Sequence, residues 1–380
     1  MSVPKHRVSL ANEAICTGCG ICATVCTQGC IRMKEGLLGH VFPKVDTASC
    51  VGCGRCEQIC PALHPHSLNP IRSAYASWSK DPVVYRSSAS GGIATELSKA
   101  ILRNEGVVYG CAMLPHVDVR HVRVDKVEDL EPLKSSKYVH SSIIGVIPSL
   151  RKDIANGRQV LFIGAPCQVA AVKALYKVQP ESLFLVDLIC HGVPSLKMLK
   201  DYVGKVVPRN SCTNITFRQP SGYTIRIWDH DKELCNIPSR VPHYGGWYLD
   251  AFMDGYTMRD SCYHCPYASA ERVGDMTIGD FWGLGQKVPA DAIPDHPYGC
   301  SLVLPVSEKG LWLLDSIQPS ISLYPREITE AIEGNMQLQG PVQMTKRIRS
   351  YRKFQRIVYW PGLYRWMNLD RVIKEIRTGC

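Results

Sequence analysis

Residues 16–26 read CTGCGICATVC and residues 50–61 read CVGCGRCEQICP. Both runs space their cysteines C-x2-C-x2-C-x3-C, so Cys16, Cys19, Cys22 and Cys26 are repeated by Cys50, Cys53, Cys56 and Cys60, with Pro61 closing the second run. Three cysteines at two-residue gaps wrap a short loop around one corner of an iron–sulfur cubane. The fourth, on the helix that follows, ligates the other cubane. The spacing therefore predicts one 4Fe–4S cluster on Cys16, Cys19, Cys22 and Cys60 (cluster I) and a second on Cys50, Cys53, Cys56 and Cys26 (cluster II). Gly18, Gly20, Gly52 and Gly54 let backbone N–H groups approach the sulfurs. Structural zinc uses C-x2-C pairs set apart by a spacer, not a duplicated eight-cysteine run. In so small a unit, metal binding supplies most of the folding free energy.

The module, expected over residues 1–62, resembles the bacterial two-cluster ferredoxin domain. It departs from that pattern at Thr27, where proline is usual, and at Cys30, four residues after Cys26. Cys30 is read as a buried spare thiol.

The whole chain has 380 residues, 45% hydrophobic and 21% charged, enough for two or three cores. Nine of its 18 cysteines lie between Cys16 and Cys60. No apolar run approaches the roughly 18 residues of a membrane span. The start, MSVPKHRVSL, lacks the apolar stretch of a signal peptide. These features predict a cytoplasmic protein with reduced thiols. The formal charge is +10, and residues 341–380 hold ten Lys/Arg against two acids, interleaved with Tyr351, Phe354, Tyr359, Trp360, Tyr364 and Trp366. This tail (331–380) reads either as an amphipathic helix with a solvated basic face, or as a docking face for an acidic redox protein or an anionic membrane surface. Nucleic-acid binding is not inferred.

PALHPHSLNPI (61–71) reads as a linker, with His64 and His66 solvated. Beyond it, strand-like and helix-like stretches alternate. Strands are expected at 74–79, 106–113, 117–124, 159–166 and 182–190, and helices at 90–106, 143–157, 167–177 and 194–206. NITFRQ and YTIRIW suggest an antiparallel patch within 211–250. Apolar strands alternating with helices predict parallel βαβ units and a covered sheet. The fold class is thus α/β (α+β overall): a small ferredoxin-like domain before a mixed α/β body, with subregions at 73–150 and 158–330.

Two strand ends carry chemistry. Gly164-Ala165-Pro166-Cys167-Gln168 sits between a buried strand and a helix start, and Cys190-His191-Gly192 ends the next strand. In a parallel sheet both fall on the carboxyl edge, where ligands bind. A cysteine at a helix N-terminus is expected to have a lowered pKa. RDSCYHCPYA (259–268) adds Cys262-x2-Cys265. Three readings stand open from the residues: half of a zinc site at Cys262 and Cys265, a Cys167–His191 nucleophile pair, or a third cluster on all four cysteines.

Taken in order, SSASGG, SSKYVHS, FIGAPCQVAAVKA, ICHGVPS, RDSCYHCPYA and DMTIGDFWG resemble the beta subunit of coenzyme F420 hydrogenase/dehydrogenase, over roughly residues 73–325. The family includes F420-reducing hydrogenase and formate dehydrogenase subunits, chlorophyllide-type reductases and bacterial proteins found with polysaccharide-synthesis genes. The resemblance implies FAD beside a 4Fe–4S cluster held by Cys167, Cys190, Cys262 and Cys265. It places the flavin phosphate site at Ser87–Thr95, with Ser88, Ser90, Gly91, Gly92 and Thr95. A helix start with free N–H groups suits an anion. Lys137 and Tyr138 are implied as flavin contacts, and Asp280 as a positioning group. Cys111 in VVYGCAM departs from the small or apolar residue common there.

The expectation is an iron–sulfur flavoprotein oxidoreductase with three 4Fe–4S clusters and FAD. It would exchange electrons with a redox partner (a ferredoxin or an oxidoreductase subunit) and with a small two-electron substrate, coenzyme F420 being the candidate. The alternative is a non-catalytic electron-transfer subunit serving a partner enzyme, for example in bacterial polysaccharide synthesis.

Overall fold

The computed structural model describes residues 8–219, 222–240, 246–360 and 363–364. Most of the basic tail beyond Trp360, including Arg365, Trp366, Arg371, Lys374 and Arg377, lies outside the described residues.

The cysteine-rich segment folds as two short helices, α1 (Ile21–Thr24) and α2 (Arg55–Gln58), beside a hairpin of β1 (Ile31–Glu35) and β2 (Val41–Val45). Its own apolar centre is little more than Cys22, Cys30, Ile31 and Cys56, too small to hold a fold without cross-links or metal.

Residues 61–71, expected as a free linker, lie against the body instead. Asn69 and Arg272 exchange backbone hydrogen bonds of 2.8 Å each way. His66 is not solvated: its Nε2 sits 3.0 Å from the Ala170 carbonyl, and burial pushes its pKa down.

The body is built on one eight-stranded mixed sheet. In chain order it comprises β3 (Ala74–Ser79), α3 (Pro82–Ser87), α4 (Ile93–Arg103), β4 (Val107–Leu114), β5 (Asp118–Val124), α5 (Ile147–Ala155), β6 (Val160–Gly164), α6 (Pro166–Lys173), β7 (Leu183–Leu188) and α7 (Leu196–Val206). Three strands, β8 (Asn214–Gln219), β9 (Gly222–Asp229) and β10 (Lys232–Pro238), form a separate antiparallel sheet as the alternation predicted. The chain continues through α8 (Trp247–Met253), β11 (Met276–Asp280), β12 (Ser301–Pro305), α9 (Glu308–Ile317), β13 (Ile321–Arg326), α10 (Ile328–Gly334), α11 (Met336–Gln339) and α12 (Lys346–Ile357).

The large sheet runs β13-β3-β12-β11-β7-β6-β4-β5. Strands β4, β6, β7 and β11 are parallel neighbours, whereas β12 is antiparallel to both β11 and β3. The carboxyl ends of β3, β4, β6, β7 and β11 therefore share one edge. The stretches 73–150 and 158–330 are not separate layers; both contribute strands to this sheet. Strands β6 and β7 are continuous apolar runs because both faces are covered. One face packs on α5 and α6 through Leu150, Val169 and Val172, and the other on α4 and α9 through Ile93, Leu97 and Leu313. A third core joins β8–β10 to α7, α8 and α12 through Tyr202, Phe217, Phe252 and Tyr351. Among the described residues, no helix is long and apolar enough to cross a membrane.

Candidate redox centre

The duplicated cysteine runs line two cavities. One is lined by Cys16, Cys19, Cys22 and Cys60, the other by Cys26, Cys50, Cys53 and Cys56. The exchange of the fourth cysteine follows from the short helices. Gly20 and Gly54, both at φ 73°, turn the chain into α1 and α2, a left-handed conformation only glycine adopts cheaply. The chain leaving each helix then carries the fourth cysteine, Cys26 after α1 and Cys60 after α2, away from its own loop to the other cavity. Burial pushes Cys19 up to about 11 and Cys22 up to about 12, with the neighbouring thiols adding to the rise. Clustered thiols that cannot ionise unaided are a donor set that a multinuclear cation stabilises as thiolate. Cys30 lines the second cavity too, with its Sγ 3.3 Å from that of Cys26.

A second cysteine group lies on the carboxyl edge of the large sheet. Cys167 is in the first turn of α6 directly after β6, and Cys190 follows β7, its parallel neighbour. Cys262 lies in a 3-10 turn, Asp260–His264, and Cys265 caps its end. The structure brings these four together. Cys167 is partly buried beside the other three, and desolvation, then the charges of Cys265, Cys190 and Cys262, drive its pKa well above the ordinary thiol value. The same causes lift Cys190 to about 11 and Cys262 to about 12. The lowered pKa expected for Cys167 at a helix start is thus reversed: desolvation outweighs the helix dipole. The Cys167–His191 pair also fails. His191 Nε2 is 3.2 Å from the Met253 carbonyl and Nδ1 is 2.9 Å from Gln337 Nε2, which leaves neither nitrogen for a thiol proton. Among the described residues, no three His, Cys, Asp or Glu side chains converge to hold a single metal ion.

The loop carrying Cys265 is anchored from below. Arg272, fully buried, binds Asp187 of β7 (Nη2–Oδ1 2.5 Å) and donates to the carbonyls of Tyr267 and Ser269 at 2.9 and 3.0 Å. Asp187 also accepts from Gly274 N and Thr277 Oγ1, each at 2.8 Å. Tyr267 stands between the two thiol groups. Its buried hydroxyl has no hydrogen-bond partner, and its pKa is pushed up by burial and then by Cys167, Cys265, Cys19 and Cys60. Cys19 is in turn among the charges felt by Cys167, so cluster I is the nearer of the two to the body thiols.

The segments implied as flavin contacts reach the same edge. After β3, Gly91 lies so close to that strand that an added Cβ would come 2.2 Å from the Ser77 carbonyl. Its N–H is taken by Ser301 Oγ at 2.9 Å. Gly92 caps α4 at φ 84°. Ser88 donates to Val84 O at 2.7 Å, and Thr95 is buried in the first turn of α4. Only the Ser90 hydroxyl is both buried and unpartnered. Lys137 Nζ donates to the carbonyls of Lys134 and Ser135 at 2.6 and 3.1 Å. Burial brings its pKa down to about 8, against the pull of Cys111 and Glu131. Tyr138 stacks on Phe252 with ring centroids 5.1 Å apart, and its carbonyl accepts from Tyr248 Oη at 2.8 Å.

Arg218, which the sequence did not single out, connects these pieces. Its Nη1 pairs with Asp280 at 2.8 Å, it lies over the rings of Tyr223 and Trp282 at 4.7 and 5.6 Å, and its buried Nε has no partner. Asp280 ends β11 opposite Ser301, the residue that holds Gly91. The only signal of Arg218 in the sequence was a charge at the end of the alternating stretch NITFRQ.

The architecture defines an iron–sulfur electron-transfer protein, with a dicluster module set on a mixed α/β body. Residues 157–331 match the family described as the C terminus of the coenzyme F420 hydrogenase/dehydrogenase beta subunit, and residues 15–63 match the 4Fe-4S dicluster domain. Residues 157–331 thus carry the C-terminal family region of F420 hydrogenase/dehydrogenase beta subunits, and a dicluster domain precedes it in the same chain. It is 21% identical over 376 residues to the F subunit of F(420)H(2) dehydrogenase from Methanosarcina mazei, covering 93% of this chain and 96% of that one. It is also similar to a chain of the F420-reducing NiFe hydrogenase complex from Methanosarcina barkeri, at 18% identity and TM-score 0.49, covering 72% of this chain and 91% of that one.

Proposed function

We propose that the chain is an iron–sulfur, flavin-dependent oxidoreductase that links single-electron carriers to a two-electron substrate. The observation that carries this reading is the partly buried, desolvated group of Cys167, Cys190, Cys262 and Cys265 beside Cys19, on the edge shared with Ser90, Lys137, Tyr138 and Asp280. Cys16, Cys19, Cys22 and Cys60 hold cluster I, Cys50, Cys53, Cys56 and Cys26 hold cluster II, and the four body thiols hold a third. Ser88, Ser90, Gly91, Gly92 and Thr95 cradle the flavin phosphates, Ser90 with its free hydroxyl. Lys137 and Tyr138 border the ring, and Asp280 holds Arg218 in place. When bound, the clusters carry one electron at a time, and FAD joins two such transfers into hydride chemistry. Lys137, desolvated yet still largely charged near neutrality, favours negative charge beside it. Tyr267 fills the space between the two thiol groups and keeps water out of it.

The units we assign are 1–62 for the dicluster module, 73–150 and 158–330 for the two regions of the body, and 331–380 for the tail. Seventeen free cysteines among the described residues suit a reducing compartment, the cytoplasm. Coenzyme F420 is the candidate two-electron substrate, on the strength of the family and of the Methanosarcina mazei relative. That relative is named as a subunit, which favours a second reading in which this chain only passes electrons to a partner enzyme. In either case α12 offers Lys353, Phe354 and Arg356 to an acidic redox protein or an anionic membrane surface.

Anaerobically reconstituted full-length protein should carry about twelve irons and one flavin. Cys167→Ser should remove about four of those irons. About eight irons without flavin absorbance would refute the reading. Flavin-dependent oxidation of reduced F420 by the purified chain, with a one-electron acceptor, separates an enzyme from a pure relay.

A further inference from the structure

Arg259 is 1% exposed and is one of the two bulkiest fully buried side chains among the described residues. It starts in the body, where its N–H donates to the Val193 carbonyl at 3.0 Å and its carbonyl accepts from Cys262 N at 3.0 Å. Its guanidinium ends inside the dicluster module. There Nε donates to the Cys16 carbonyl and Nη2 to the Val41 carbonyl, both at 2.6 Å; Nη2 also stands 3.8 Å from Cys16 Sγ, and the group lies 4.3 Å above the Phe42 ring. Nη1 has no partner and lies where a Cβ on Gly18 would approach within 2.6 Å.

A buried guanidinium needs a counter-charge, since arginine does not lose its proton in proteins. The other deeply buried arginines obey this rule: Arg272 pairs with Asp187, and Arg352 with Asp260. Among the described residues, no carboxylate pairs with Arg259. His40 and His140, both desolvated beside it, are held neutral by burial and then by its charge. The groups left to balance it are thiols: Cys16, which it touches, and Cys262, which feels its charge. Four thiolates around a cubane supply the missing negative charge.

We propose that Arg259 is the counter-ion of cluster I, a cation carried by the body that raises the reduction potential of that cluster and leaves cluster II unaffected. Reduction adds an electron to an already anionic centre, so a fixed cation in a low-dielectric site favours the reduced form. None of Cys26, Cys50, Cys53 or Cys56 is among the contacts of Arg259, so two clusters with identical ligands become unequal. The electron then rests preferentially on cluster I, beside Cys167. The inference depends on the dicluster module alone; a count of about eight irons would end the third-cluster reading and leave this one standing.

The test is an EPR-monitored redox titration of full-length, anaerobically reconstituted protein, with the cluster I signal assigned as the one perturbed in Cys16→Ser. Arg259→Gln should retain the iron of the dicluster module, shift the cluster I midpoint negative and leave that of cluster II in place. Arg259→Lys, which keeps the charge but withdraws it from Cys16, should shift cluster I less than the glutamine variant does. Should Arg259→Gln not fold, a negative shift confined to cluster I in Arg259→Lys supports the proposal. An unmoved cluster I midpoint in whichever variant folds, an equal shift of both clusters, or failure of both variants to fold overturns it, because Arg259 is then only a packing element.

Discussion

Arg272→Met tests the anchor beneath Cys265. Both partners of the pair are buried, Asp187 at 0% and Arg272 at 2% exposure. The substitution removes the two guanidinium donors to Asp187 Oδ1, at 2.5 and 3.2 Å, and leaves the carboxylate only Gly274 N and Thr277 Oγ1. Breaking a buried ion pair from one side costs about 3–5 kcal/mol, because a charge remains without its partner. A whole domain has only about 5–15 kcal/mol of stability. The same change frees the carbonyls of Tyr267 and Ser269, so the loop after Cys265 loosens, and any iron that the body thiols hold under the proposed function should be lost first. The assay is anaerobic urea denaturation, with stability taken from midpoint and slope, alongside an iron count. Asp187→Leu combined with Arg272→Met should recover much of the loss, since no buried charge is left. A cost below about 1 kcal/mol for Arg272→Met, the range of exposed pairs, would refute the reasoning.

Cys30→Ala should leave the iron of the dicluster module unchanged, by iron assay and EPR; loss of about four irons would make Cys30 a ligand. His121 is buried between Ile163 O and Ser141 Oγ, and burial lowers its pKa to about 4. The unfolded chain then binds the extra proton between about pH 6.5 and 4, so stability present above 6.5 is lost on acidification. Between pH 7 and pH 5 the loss from this residue is about 2 kcal/mol. His121→Asn should flatten the dependence by that amount, and an identical slope in the variant would exclude His121 as its source. Gly91→Ala should cost about 1–3 kcal/mol through overpacking against Ser77 O and Ser301 Oγ, at 2.2 and 2.9 Å from the new Cβ; thermal denaturation unchanged from the parent would show that the strand and helix start can separate freely.

What the sequence determined is what local spacing can express. Eight cysteines in two C-x2-C-x2-C-x3-C runs leave few ways for short loops to surround a cubane, and the two cavities divide them four and four. The runs VLFIG and LFLVDL read as buried strands because a sheet covered on both faces has no polar side to show. Once they are parallel neighbours, Cys167 and Cys190 must leave one edge. For Cys262 and Cys265 the residues left three readings open and the resemblance implied that they join these two; the tertiary structure alone decided that residues 61–71 lie on the body, and that Cys167 is desolvated rather than activated by its helix. It also decided the fate of Arg259 and Arg218. As letters these are ordinary arginines; whether an arginine is solvated, paired or left as a bare buried cation depends on contacts 243 residues away in the first case and 62 in the second. Dielectric and counter-charge are properties of the packed interior, and no local pattern encodes them.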